Sequence, residues 1–433
     1  MTTAPSRTGT VTGRCEPPSP ELRRRQVAEA RTGAAAGEAP ARTPRVGLYV
    51  HVPFCVRKCH YCDFYSLATG EGRPPAAARY LQALAAELRA LPAEFRAWTI
   101  YIGGGTPTEL APADLERLLA LVGERLAPGW TVEWTCEANP GTLTPDKARL
   151  LAAAGVDRVS LGVQSFDDRV LRWLGRIHDA SAARAGFELL RASGFTNINL
   201  DLIAAVPGAA PDRLERDLRE AIALGPEHIS CYTLVYEEGT PLEALRRRGA
   251  VVPLGEEEEL QEYLLARRLL AEAGYVQYEV SSFCRRDPHR DLRCRHNLLY
   301  WGPGEYHGVG PGAHSHRART RYANVRDLAR WAAAWLEVAE QPAGRGPGAG
   351  ARAFEERLEP EAWAREALVM ALRRTEGVEL EAFRTETGFA VEALAGDSLP
   401  RLLEQGLLEQ SGGRLRLTER GLCLADAVCV ELI

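Results

Sequence analysis

Three cysteines, Cys55, Cys59 and Cys62, stand at C-x3-C-x2-C spacing in the run YVHVPFCVRKCHYCDFYS. Three thiolates on one short loop can wrap a compact inorganic centre. They fall one ligand short of the four that a structural zinc or an electron-transfer cluster takes. An iron–sulfur cube held by three cysteines keeps one iron open, and an open coordination position is where chemistry happens. The plainer reading is a zinc knuckle completed by His51 or His60. Two residues past the last cysteine stands Phe64, so no fourth thiol follows at that position.

The elements that must carry this loop are legible as an alternation. Short β-branched runs at 46–52, 99–103, 131–137, 158–163, 197–203 and 228–235 read as strands. Amphipathic runs at 76–91, 111–126, 145–154, 180–192, 211–223 and 256–273 read as helices. Six repeats of strand then helix predict a parallel sheet with right-handed crossovers. No early G-x-G-x-x-G follows a strand as a dinucleotide fold requires. The expected fold is therefore α/β, a partial, TIM-like (β/α)6 barrel. Barrel sites gather at the carboxyl ends of strands. The run GGGTPT (103–108), Glu137, Gln164 and Asp201 all fall at or inside such ends, and the cysteine loop follows the first strand.

Five units are expected. Residues 1–43 are Ala-, Arg-, Pro- and Gly-rich without an aromatic residue, and read as a disordered extension. Residues 44–274 form the barrel core. Residues 275–340 hold Gly-rich turns, aromatics and five of the nine histidines, and 341–353 read as a linker. Residues 354–433 read as a small winged-helix-like α+β domain. Its expected third helix is acidic (Glu392, Asp397, Glu404 against Arg401), which suits a protein contact rather than phosphates.

The 433 residues carry 53 basic and 58 acidic side chains, a net charge of −5, so bulk attraction to nucleic acid is not indicated. No apolar run is long enough to span a bilayer, and no signal-peptide core precedes residue 44. Peripheral membrane contact and a homodimer stay open. Ten cysteines without an export signal point to the reducing cytoplasm and to metal or cluster use.

The stretch around the cysteines resembles the radical S-adenosylmethionine (SAM) superfamily. That resemblance implies a 4Fe–4S cluster on Cys55, Cys59 and Cys62, with SAM at the open iron, and GGGTPT matches the family's cofactor-binding glycine segment. Tyr49, CEANPG (136–141), LGVQSF (161–166), LGRIH (174–178) and NLDLI (199–203) are similar to the branch of anaerobic coproporphyrinogen III oxidases and their paralogues. In that branch the residues matching Tyr49, Gly104, Gly105, Thr106, Glu137, Gln164, Arg176 and Asp201 contact SAM. Tyr61, within the cysteine loop, joins the same expected cofactor set.

Two subtypes divide the branch. The oxidases carry a fourth cysteine where Phe64 stands here, and an amino-terminal region that helps form their site. The HemW heme chaperones lack both and carry H-N-x-x-Y-W, found here as His296-Asn297-Leu298-Leu299-Tyr300-Trp301. The resemblance therefore implies a protein that binds heme and passes it to an acceptor protein, with His296 as heme ligand and Tyr300 and Trp301 against the porphyrin. Cys294 is an alternative ligand, and a zinc site from Cys284, His289, Cys294 and His296 a further one. The competing function is oxidative decarboxylation of coproporphyrinogen III in porphyrin biosynthesis. Whether the chain is itself an enzyme stays open.

Overall fold

The computed structural model describes residues 45–70, 74, 76–339 and 350–433. The expected extension 1–43 and most of the expected linker lie outside these residues. Six strands form the core: β1 (Val46–Val52), β2 (Thr99–Gly104), β3 (Glu133–Ala138), β4 (Arg158–Gln164), β5 (Ile198–Ala204) and β6 (His228–Thr233). They pair in parallel and in chain order. Helices Ala77–Ala90, Pro112–Gly123, Pro145–Ala154, Ala180–Ala192, Arg213–Leu224 and Glu256–Glu272 follow them in turn. Parallel strands covered on one face by helices and on the other by a filled interior are apolar nearly throughout. Leu48, Val50 and Val52 in β1, and Leu200 and Leu202 in β5, are accordingly fully buried. The helices start where capping chemistry places them: the side chains of Thr144 and Asp179 accept backbone N–H bonds from Lys147 and Ala182. The expected (β/α)6 core is present.

The sheet continues beyond the six strands on both sides. Next to β6 lie β7 (Tyr275–Gln277) and β8 (Ser282–Arg285), with β8 antiparallel to β6 and β7 at the edge. Next to β1 lies β9 (Glu305–Val309), parallel to it. Antiparallel β10 (His314–Arg317), β11 (Thr320–Asn324) and β12 (Arg352–Arg357) extend that side to give twelve strands. Two boundaries are corrected by this. Residues 275–339 do not stand apart, because they satisfy the backbone groups that β1 and β6 would otherwise leave unpaired. Residues 352 and 353 belong to a strand of the main sheet, not to a linker.

The carboxyl-terminal unit starts with helix Pro360–Leu372 and has its own apolar core around Leu368, Leu372, Leu402 and Leu415. Its three-stranded sheet turns at Gly412 and Gly413, both at positive φ.

Two polar assemblies fix the parts around the barrel. Helix Arg295–Tyr300 closes its amino-terminal end. Glu133, the first residue of β3, accepts the backbone N–H groups of Arg295 (2.9 Å) and His296 (3.0 Å). Beside it His228 joins Asn199 (2.6 Å) and Tyr278 (2.8 Å). On the outside, buried Glu87 accepts bonds from Gly310 N (2.7 Å), Asn324 Nδ2 (2.6 Å) and Trp331 Nε1 (3.2 Å). These bonds tie helix Ala77–Ala90 to the glycine-rich turn before β10 and to helix Leu328–Ala339.

Candidate cofactor and ligand cavity

A cavity of about 1240 Å³ opens at the carboxyl ends of the strands. Tyr49, Tyr61, Cys62, Gly104, Gly105, Thr106, Glu137, Gln164, Arg176, Asp201, Tyr300 and Trp301 all line it. Twelve of the residues singled out from sequence, drawn from eight places in the chain, thus share one wall. The volume exceeds the roughly 300–1,000 Å³ of a site for one small molecule.

The cysteine loop is fastened to the glycine run. Gly105 N donates to Val52 O (2.8 Å) and Thr106 N to Phe54 O (2.7 Å). Gly104 runs at φ 105°, and Gly105 lies so close to the loop that a Cβ would sit 2.6 Å from Phe54 O. The strand end and the loop therefore meet backbone to backbone, which only glycine permits. Cys55 Sγ lies 3.6 Å from Thr106 Oγ1, and Arg176 Nη1 donates to Cys59 Sγ (3.3 Å). Arg176 Nη2 donates to Gly162 O (2.6 Å), while its buried Nε has no partner among the described residues.

Burial pushes the Cys62 thiol up to about 12, with Cys59 beside it adding to the effect, and it raises Cys55 as well. Thiols in such a place ionise when a cation takes their charge, as a coordinated metal does. Among the described residues no three His, Cys, Asp or Glu side chains converge on a single-ion site. Three cysteines spaced along one loop, an arginine beside them and a wall that a Cβ would fill fit a multi-iron cluster with a ligand above it.

The acids of that wall are held in position. Glu137 accepts from Tyr101 Oη (2.8 Å) and Gly104 N (3.1 Å); burial nevertheless raises its carboxyl to about 7. Asp201 accepts from Asn199 Nδ2 (2.7 Å) and Ser160 Oγ (3.0 Å), and burial raises it too. Gln164 sits at φ 72° on a bulge between β4 and β5, a strained backbone that turns its side chain out of the strand's alternation. Together these groups can accept hydroxyl hydrogens and pair with charged ligand ends.

His296 is placed otherwise than expected. It is 0% exposed and does not line the cavity. Its Nδ1 lies 2.9 Å from Thr99 Oγ1 and its Nε2 2.8 Å from Tyr300 Oη, so neither nitrogen is free for iron in this arrangement. Burial holds it near 3, as a neutral ring. Cys294 is likewise sealed, against Glu133 (3.6 Å).

Sequence reasoning missed several wall residues: Tyr65, Tyr306, Arg321, Arg326, Trp363, Glu366 and Met370; it named His51 only as a zinc alternative and counted His316 among the clustered histidines without a role. His51 accepts from Tyr49 Oη through Nδ1 (3.0 Å) and donates to Tyr65 O through Nε2 (2.8 Å), which presses its ring against Gly104. Trp363, Glu366 and Met370 recur at helical spacing. That signal was visible, but it is shared by any core-facing stripe.

Comparison with known proteins agrees with this construction. The model of the Radical SAM superfamily matches residues 49–221 and that of the HemN C-terminal domain residues 358–424. A solved coproporphyrinogen III oxidase, HemN of Escherichia coli, described as a radical SAM enzyme, superposes with a TM-score of 0.75 at 24% identity, over 90% of this chain and 91% of that one. By fold and site the protein is of the radical SAM class. The heme chaperone HemW of Mycobacterium tuberculosis is 37% identical over 92% of this chain and 97% of its own length. That of Bacillus subtilis is 34% identical over 88% and 97%. The chain belongs to the HemW family of heme chaperones.

Proposed function

We propose that the protein is a heme chaperone, which binds heme in its cavity and hands it to an acceptor protein. The observation that carries this reading is the continuity of one large cavity. It runs from the cysteine loop through Tyr300 and Trp301 to Trp363 and Met370 of the carboxyl-terminal unit. The upper part suits a 4Fe–4S cluster on Cys55, Cys59 and Cys62, with SAM against Tyr49, Tyr61, Gly104–Thr106, Glu137, Gln164, Arg176 and Asp201. The cluster, when bound, supplies an open iron and an electron source. The protein's own groups do the rest: Arg176 offsets thiolate charge, Glu137 and Asp201 hold hydroxyls, and the glycine backbone keeps its distance short. The lower part offers Tyr300 and Trp301 as apolar faces for a porphyrin.

Among the described residues no helix is long and apolar enough to cross a membrane. The cytoplasm remains our proposed location. The acceptor would meet the exposed apolar rim of the mouth, where Phe64 is 60% and Val235 57% exposed.

The test is an anaerobic comparison. Reconstituted protein is given hemin in one vessel and coproporphyrinogen III with SAM and reductant in another. A stable heme complex without porphyrinogen turnover is expected. Protoporphyrinogen formation with no heme complex would replace this reading by the oxidase one.

A further inference from the structure

His316 lies on β10 and lines the cavity beside Tyr306, with ring centroids 6.4 Å apart. Its Nδ1 is 3.1 Å from the carbonyl oxygen of Gly304. A carbonyl can only accept, so Nδ1 carries a proton, and in the neutral tautomer that this selects, Nε2 is the nitrogen with the lone pair. Nε2 is buried and has no partner among the described residues. A buried acceptor left unpaired is unfavourable, so the position favours a ligand that takes its lone pair. The same combination, Nδ1–H fixed by a backbone carbonyl and Nε2 bare, is how neutral histidines are oriented for a metal.

The surroundings match a flat, dianionic macrocycle better than a bare ion. Trp301 and Trp363 line the same cavity, and both indole N–H groups are buried without a partner. Arg321 and Arg326 also line it. Arg321 is already paired with Glu366 (2.9 Å) and Glu356 (2.6 Å). Arg326 forms no ion pair among the described residues, and its charge is available to a carboxylate. His296 offers the reverse of His316: two occupied nitrogens and no cavity face.

We propose that His316 Nε2 is the protein ligand to the iron of heme held in this cavity, with Arg326 as the partner of a propionate. His296 then supports the site by fixing Tyr300 through its hydrogen bond. The proposal rests on the heme-binding reading. Ligation here is donation of a neutral imidazole lone pair to iron, with no change of oxidation state and no proton released.

The full chain, as wild type, His316→Ala and His316→Met, would be titrated with hemin and followed by the Soret band. His316→Ala is expected to bind roughly tenfold or more weakly with a displaced band. Added imidazole should return the band to its wild-type position. His316→Met, similar in bulk and able to ligate through sulfur, should retain hemin with an altered spectrum. Circular dichroism checks the fold of each variant, and His316→Met decides if His316→Ala does not fold. Wild-type affinity and band in both variants would overturn the ligand assignment and leave heme binding standing. Failure of the wild-type chain to bind hemin would instead overturn the heme reading, and the assignment with it.

Discussion

At Gly104 a Cβ would lie 2.4 Å from the ring of His51, on a backbone already at φ 105°. His51 cannot withdraw easily, since both its nitrogens are bonded. Gly104→Ala is therefore expected to lower stability by about 1–3 kcal/mol from backbone strain alone. It should also reduce SAM affinity of the reconstituted protein, because the wall must shift outward. Denaturant unfolding and equilibrium dialysis measure the two effects; unchanged values for both would refute this account of the glycine run. At this scale the sequence was readable where chemistry and spacing coincide, as in the cysteine triplet. It could not show the surroundings of His296, whose clustering with other histidines says nothing about Thr99, a residue 197 positions away that binds its Nδ1. His316 was counted among the clustered histidines but given no role, because a polar residue in a glycine-rich stretch reads as an ordinary turn.

Among the elements, the six core strands were legible because short β-branched and apolar runs, broken by a few polar residues, alternate with amphipathic helical ones. Helices 145–154 and 180–192 match the observed Pro145–Ala154 and Ala180–Ala192. Strands β9 to β11 were not legible. They are short and rich in Gly, His, Tyr and Arg, and what recruits them is the open edge of β1, which no local pattern encodes. Glu87 is one fastener of this added sheet. Burial raises its carboxyl from 4.5 to about 8, against the pull of its three hydrogen-bond donors. Between pH about 4.5 and 8 the native state thus holds a proton that the unfolded chain has released. Stability should fall as pH rises through this window, by up to about 1.4 kcal/mol per pH unit, and level off above it. Glu87→Gln cannot ionise and should flatten the slope. Melting temperatures of the two proteins across that range provide the check, and parallel curves would show that Glu87 is charged throughout.

Across the whole molecule, cluster loop and lower cavity are built from different segments: residues 55–62 on one side, and 300–326 with helix Pro360–Leu372 on the other. Replacing Cys55, Cys59 and Cys62 together by serine should abolish iron and sulfide incorporation while hemin affinity stays within about threefold of wild type, a change of under about 0.7 kcal/mol. Loss of both functions would mean that the two ends are coupled more tightly than their separate walls suggest. The closed amino-terminal end of the barrel bears on traffic through the protein. With Glu133, His228 and His296 locked into a polar plug, the described residues put a floor under the cavity. Threading cargo from a donor below to a recipient above would break that plug. Donor and recipient are therefore expected to visit the mouth at the carboxyl ends of the strands, one after the other.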